Sequence, residues 1–126
     1  MDERKRHAKG LKVRRAVLGN AHVDRAQANE NSFNASFQDL ITRYAWGEIW
    51  TRPGLARKTR SLIVIAMMVA LNRPDELRMH LRAAVNNGVT AKEIQEVLLQ
   101  TAIYCGVPAA NSAFHIAEEV MEEARK

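Results

Sequence analysis

A histidine, a carboxylate and an arginine recur at helical spacing in the middle of the sequence. Glu76 and His80 are four residues apart, and Arg73 precedes Glu76 by three. On a helix all three lie along one flank. A carboxylate one turn from an imidazole can orient the ring and stabilise its charged form. The group therefore predicts a proton-transfer site, and the alternative is an ordinary histidine at the core boundary with a surface ion pair.

Residues 46–60 form a second concentration of chemistry-bearing side chains. The two tryptophans of the chain, Trp46 and Trp50, flank Glu48. Four cations follow without an intervening acid: Arg52, Arg57, Lys58 and Arg60. Indole walls lower the local dielectric and strengthen charge interactions, and guanidinium groups match carboxylates in shape. The segment predicts a site for a small polyanionic acid; a tryptophan-anchored loop beside a solvated basic helix start is the alternative.

The remaining nucleophiles and imidazoles form no recognisable site. Cys105 is the one cysteine of the chain and falls on the predicted core face of its helix, which favours an inert buried thiol. His115 is predicted to lie at a surface or interface, and His7 and His22 have no assignable partner. There is no HExxH motif, P-loop or Gly-rich dinucleotide motif. We expect neither a metal nor a cofactor.

Length and composition indicate one folded domain over residues 1–126. The chain is 47% hydrophobic and 26% charged, which excludes a disordered or low-complexity protein. No stretch has the roughly 18 apolar residues that span a bilayer, and the charged N-terminus does not resemble a secretory signal. We therefore expect a cytoplasmic protein without a membrane partner.

The formal net charge of +5 is concentrated at the N-terminus. Residues 1–15 contain seven cations and two acids, and the rest of the chain is balanced. A short basic run without aromatic residues is more typical of a solvated helix than of a nucleic-acid interface. We expect no nucleic-acid partner.

Hydrophobic periodicity predicts an all-α protein of six or seven helices. Capping and breaking residues give the boundaries, and only residues 21–31 are ambiguous. The predicted elements are a basic helix over 2–18 ended by Gly19, an amphipathic helix over 32–50, a break at 51–54, a central buried helix within 55–72, a helix from Pro74 to before Gly88, a helix capped by Thr90 and Glu93, and a last helix after Gly106 and Pro108.

The helix after Thr90 carries apolar residues on two opposite faces. One face is expected in the core: Ile94, Val97, Leu98, Thr101 and Cys105. Leu99 and Ile103 lie almost opposite, at about 100° of rotation per residue. Because a small chain has few layers to cover both faces, we predict a homo-oligomer whose contacts include Leu99 and Ile103.

Five segments together resemble the carboxymuconolactone decarboxylase family over nearly the whole chain. They are Gly-Leu-Lys-Val-Arg-Arg-Ala-Val-Leu-Gly (10–19), Trp-Gly-Glu-Ile-Trp-Thr-Arg-Pro-Gly-Leu (46–55), Thr-Arg-Ser-Leu (59–62), Glu-Leu-Arg-Met-His-Leu-Arg-Ala-Ala-Val-Asn-Asn-Gly (76–88) and Tyr-Cys-Gly-Val-Pro-Ala-Ala-Asn-Ser-Ala-Phe (104–114). The resemblance implies the helical fold of the alkylhydroperoxidase AhpD-like proteins and assembly as a trimer or hexamer.

The AhpD-like peroxidases use two cysteines and a glutamate that this sequence does not have. Arg73 and Glu76 occupy the cysteine positions and Ser61 the glutamate position, while the histidine remains as His80. Because disulfide chemistry needs a second thiol, the resemblance does not extend to peroxidase activity.

The function implied by the resemblance is cofactor-free decarboxylation of 4-carboxymuconolactone to 3-oxoadipate enol-lactone, in protocatechuate catabolism by the β-ketoadipate pathway. His80, held by Glu76, is the expected proton donor or oxyanion partner, and Glu48 is a second acid–base candidate. The expected substrate-binding residues are Arg52, Arg57, Arg73, Trp46 and Trp50. Two alternatives stay open: a decarboxylase of a related lactone, and a non-catalytic helical oligomer that binds a small organic acid.

Overall fold

The computed structural model describes residues 2–126, and within that range helices joined by turns and loops are present with no strand. The prediction of an all-α protein is confirmed. The helices are α1 (Glu3–Leu18), α2 (Asn20–Ala28), α3 (Ala35–Ile41), a π-helical segment (Thr42–Ile49) that continues α3, α4 (Arg57–Ala70), α5 (Pro74–Asn86), α6 (Ala91–Tyr104) and α7 (Val107–Arg125).

The helices form two compact units. The first ends at Ala56, and the second comprises Arg57–Lys126. This division into two units does not decide whether the chain is one domain, so the expectation of one domain over residues 1–126 stays a prediction. In the described part of the chain, every helix is too short or too polar to cross a bilayer.

In the first unit, α1 crosses the π-helical segment at two glycines. A Cβ added to Gly10 would lie 1.9 Å from the carbonyl oxygen of Thr42, and one added to Gly47 would lie 2.5 Å from the carbonyl oxygen of Arg6. Neither distance leaves room for a side chain. Glycine at both positions is therefore what lets the two backbones touch.

Arg14 fastens α1 to α3 and the π-helical segment. Its side chain is buried, and its Nη2 and Nη1 atoms donate hydrogen bonds to Gln38 Oε1 (3.1 Å) and Thr42 Oγ1 (3.3 Å). Burial lowers the pKa of Arg14 below its ordinary value, because the charged form loses its hydration. The prediction of a merely solvated basic helix is therefore wrong at this residue.

The predicted amphipathic helix over 32–50 is confirmed as α3 plus the π-helical segment, but its apolar stripe is exposed. Phe33 is 97% exposed and Phe37 59% exposed. The buried residues of this stretch are instead Thr42, Trp46, Gly47 and Trp50. The close approach of α1 decides which face is covered, since it occurs at Gly47.

The second unit packs α4–α7 around one hydrophobic core. Its fully buried side chains include Ile65, Leu81 and Leu98. The predicted helix boundaries are confirmed: Pro74 lies in the first turn of α5, and Gly88 adopts a positive φ of 83° after that helix ends.

The N-terminus of α6 is capped as predicted. Thr90 N donates to Glu93 Oε1 (2.9 Å) and Glu93 N donates to Thr90 Oγ1 (3.1 Å), so each residue satisfies an otherwise unpaired amide of the other.

The helix predicted within residues 55–72 is confirmed as α4, but the prediction that it is a central buried helix is wrong. Only one face of α4 is buried, and its buried residues are Ser61, Ile65 and Val69. On the opposite face Met67 is 52% exposed and Leu71 63% exposed. A single chain of this size supplies too few layers to cover every side of an apolar helix.

We predict that Gly10→Ala destabilises the first unit by at least about 2 kcal/mol, because the new methyl group collides with rigid backbone. Urea unfolding followed by tryptophan fluorescence measures this, since both tryptophans belong to this unit. Gly54→Ala is the matched control: no atom lies within 4 Å of its added Cβ, and its effect should stay within about 0.5 kcal/mol. Equal stability of the two variants would contradict the prediction.

Candidate functional site

The π-helical segment presents the two tryptophans as a stacked pair. The ring centroids of Trp46 and Trp50 are 5.0 Å apart with an interplanar angle of 28°, and both side chains are largely buried. The wider turn is closed by a hydrogen bond from Trp50 N to Ala45 O (3.0 Å). π-Helical turns are rare and occur frequently at functional sites. The stack provides a rigid aromatic surface beside Glu48.

The carboxylate of Glu48 lies between two guanidinium groups. Arg6 Nη1 is 2.5 Å from Glu48 Oε2, and Arg52 Nη1 is 3.5 Å from Glu48 Oε1. Glu48 and Arg52 therefore form an ion pair close in sequence to the stacked tryptophans. In this arrangement the carboxylate accepts a hydrogen bond from Arg6 and forms ion pairs with both guanidinium groups.

Arg6 belongs to a wider charged network with Glu3. Glu3 receives hydrogen bonds from Tyr44 (2.8 Å), Arg43 (2.9 Å) and Arg6 (3.0 Å). These three bonds, the one from Tyr44 foremost, lower the pKa of Glu3 to about 2. Hydrogen bonds to Glu3 and Glu48 in turn raise the pKa of Arg6 above its ordinary value. The network joins the first two turns of α1 to the π-helical segment.

In the second unit, α5 places Glu76 and His80 on successive turns, as predicted. Leu77 and Leu81 on the same helix are buried, His80 beside them is half-buried, and Glu76 is exposed. The imidazole is therefore neither sealed in the core nor fully in solvent. Partial burial of this kind suits a proton-transfer group at the edge of an apolar face.

The two remaining predicted arginines are at helix starts of the second unit. Arg73 is the N-cap residue of α5 and Arg57 is the first residue of α4; both are exposed. Each cation thus lies near the positive end of a helix dipole, where an anion is favoured.

The other residues considered in the sequence analysis lie outside the candidate site. Cys105 is half-buried and packs against the core, and His115 is exposed. No cluster of three potential metal-ligating side chains occurs among residues 2–126. A groove of about 510 Å³ lies between α6 and α7, and its lining contains none of the predicted site residues.

Sequence reasoning missed Arg6 and Glu3 as part of the Glu48 surroundings. The available signal was Gly10, because a glycine inside a helix costs about 1 kcal/mol relative to alanine and usually marks a close packing contact. Arg6 lies one turn before that glycine on the same face. No pattern in the sequence shows which segment the glycine meets.

Comparisons with known proteins find similarity to decarboxylases. The model of the carboxymuconolactone decarboxylase family matches residues 35–119. The chain is 54% identical to a 4-carboxymuconolactone decarboxylase of Acinetobacter baylyi over 98% of its own length and 92% of the relative's. It is 42% identical to a nitrosuccinic acid decarboxylase of Metarhizium robertsii over 90% of its own length and 80% of the relative's.

We predict that the contact between α1 and the π-helical segment weakens in acid through Glu3. Because its pKa is lowered from 4.5 to about 2, its contribution to the free energy of unfolding is fully present above pH 4.5 and is lost as the pH falls to about 2. Glu3→Gln should therefore be less stable than the unaltered protein at pH 7, with the two converging near pH 2. Urea midpoints read by tryptophan fluorescence test this, and a gap that stays constant down to pH 2 would contradict it.

Proposed function

This chain belongs to the carboxymuconolactone decarboxylase family, and from that premise we propose that it converts 4-carboxymuconolactone to 3-oxoadipate enol-lactone. The observation that carries this proposal is the 54% identity, over nearly the whole of both chains, to a protein with that activity in its name. The reaction places this decarboxylase in the β-ketoadipate pathway of protocatechuate catabolism, and we assign it to the cytoplasm.

The substrate needs little from the protein beyond electrostatics and one proton. When the ring carboxylate leaves as CO₂, its electron pair is conjugated through the ring double bond to the lactone carbonyl, which gives a dienolate. Protonation of the carbon α to the carbonyl then yields the enol-lactone. The protein must therefore bind a dianion, favour loss of charge at one carboxylate, stabilise the dienolate oxygen and deliver a proton.

The first unit offers groups for binding the dianion. Arg52 is exposed two residues after Trp50, and a guanidinium can bind a carboxylate through two parallel hydrogen bonds. The aromatic surface is poor at solvating a carboxylate, so it favours the uncharged CO₂ product over the anion. Glu48 is the second acid–base candidate, and its role is acceptance of a proton.

His80 is the proposed proton donor. His80 is half-buried, and its imidazole can donate a proton to the dienolate carbon or a hydrogen bond to the dienolate oxygen. Glu76, one turn earlier, orients the ring. Arg57 and Arg73 are the further carboxylate-binding residues.

A second candidate substrate class has its own support. The 42% identical relative is named for nitrosuccinic acid, which is a dicarboxylic acid with an electron-withdrawing group. In the decarboxylation of such an acid, the electron-withdrawing group would accept the electron pair in place of the lactone carbonyl. The proposed arginines, Glu48 and His80 would have the same roles. Assaying both compounds separates the two possibilities.

The protein is also proposed to act as a homo-oligomer, a trimer or a hexamer. Leu99 is 48% exposed and Ile103 80% exposed on α6, opposite the buried Ile94 and Leu98. The two-faced pattern of α6 is thus present in the structure. A second copy of this chain is the proposed cover for the outer face.

We predict that the purified protein consumes 4-carboxymuconolactone, followed by ultraviolet absorbance, and releases one CO₂ per turnover. His80→Ala and Glu48→Gln should each lower kcat by about two orders of magnitude or more, which is the usual contribution of a general acid or base. His115→Ala and Glu96→Gln, both exposed, are the matched controls and should keep full activity. Retained activity in either site variant with an intact circular dichroism spectrum removes that residue from the mechanism.

For the assembly, we predict that Ile103→Glu lowers the molar mass measured by light scattering at micromolar concentration. Burying a carboxylate in an apolar interface is costly. Gln100→Glu adds the same charge at an exposed position of the same helix and should leave the mass unchanged. A monomeric unaltered protein would refute the proposed oligomer.

A further inference from the structure

Glu48 has an inner and an outer arginine, and the two differ in how firmly they are held. The inner one, Arg6, approaches Glu48 to 2.5 Å and its side chain is 17% exposed. The outer one, Arg52, is 3.5 Å away and its side chain is 61% exposed. A shorter and less hydrated ion pair is the stronger one. Arg6 is therefore the principal counter-ion of Glu48.

Arg6 is held in place by the fold. Its Nε atom is 3.0 Å from Glu3 Oε2, and its guanidinium carbon lies 5.3 Å from the centre of the Tyr44 ring. Its backbone carbonyl lies at the helix crossing, where it leaves no space for a side chain on Gly47. The entropy of ordering this side chain is thus lost on folding and not on ligand binding.

A carboxylate beside a dianion-binding arginine creates an electrostatic conflict. Glu48 repels a second carboxylate and competes with it for Arg52. Arg6 contributes one positive charge to the cluster of Glu3, Glu48 and Arg52, so its removal makes the surroundings of Arg52 more negative by one charge. Without Arg6, Glu48 depends more on Arg52 as its counter-ion, and an incoming dianion meets a more negative cluster.

We propose that Arg6 is a positioning residue that neutralises Glu48 and thereby leaves Arg52 able to bind a carboxylate of the substrate. This inference rests on the proposed function, in which Arg52 binds the dianionic lactone. It assigns Arg6, at the N-terminus of the chain, to substrate affinity. Arg6 touches Glu48 and not the substrate.

The first test is the split between KM and kcat for the lactone. Arg6→Met should raise KM about tenfold or more and change kcat by no more than about threefold, while Arg6→Lys, which keeps the charge, should bring KM back to within about threefold of the unaltered protein. If Arg6→Met does not fold, Arg6→Gln is measured in its place. An unchanged KM, or a loss confined to kcat, overturns the proposal.

Arg43→Met is the matched control for damage to the surrounding network. Arg43 also pairs with Glu3 (2.9 Å) and lies 5.1 Å from the centre of the Tyr44 ring, but its ion pairs are with Glu3 and Asp39 and not with Glu48. Its removal should leave KM within about twofold. An equal rise of KM in both variants would assign the effect to the network as a whole and overturn the specific role of Arg6.

A double variant tests whether the effect of Arg6 passes through the charge of Glu48. On the background of Glu48→Gln, Arg6→Met should change KM by less than about threefold, because there is no carboxylate left to neutralise. An undiminished tenfold effect on that background overturns the proposal.

Failure of the proposed function is distinguishable from failure of this inference. If the unaltered protein does not turn over the lactone, the proposed function is wrong, and binding of glutarate, a dicarboxylate dianion, read by tryptophan fluorescence, decides the inference instead. The inference is supported if glutarate binds about tenfold more weakly to Arg6→Met and with unchanged affinity to Arg43→Met. Equal binding in all variants, or no binding to the unaltered protein, overturns it.

Discussion

The first unit depends on the contact between the backbones of α1 and the π-helical segment. The two helices meet at Gly10 and Gly47, where no side chain fits. The approach brings Arg14 to Gln38 and Thr42 and brings Arg6 to Glu48. Hydrogen bonds and ion pairs weaken steeply with distance and angle. A separation larger by the width of one methyl group would therefore loosen the ion pair of Arg6 with Glu48.

Some of the positive charges of the N-terminal segment have a structural role that the composition alone does not show. Seven cations within fifteen residues are typical of a solvated helix or a surface that attracts polyanions. Two of them are instead withdrawn from solvent: Arg14 donates to neutral oxygens, and Arg6 pairs with two carboxylates. The excess positive charge thus contributes both to packing and to the electrostatics around Glu48.

The proposed reaction suits a protein of this kind because the substrate accepts its own electron pair. What remains for the protein is to hold a dianion, to let one carboxylate leave as neutral CO₂ and to return a proton. Aromatic walls, arginines and an imidazole at the edge of an apolar helix face are sufficient groups for those tasks. The stacked tryptophans and the paired Glu48 on one π-helical segment place several of them within a few residues of sequence.

By itself, the sequence determined the helical class, the helix boundaries and the segments that carry the chemistry. These depend on local rules: proline in a first turn, glycine at positive φ, the reciprocal cap of Thr90 and Glu93, and the spacing of Glu76 and His80. Only the tertiary structure decided which faces are covered. Phe33 and Phe37 are exposed and Gly47 is buried, against the hydrophobic pattern, because a backbone contact between distant segments selected the face. Arg6 became the partner of Glu48 for the same reason: 42 residues separate them, and no local rule specifies a contact across that distance.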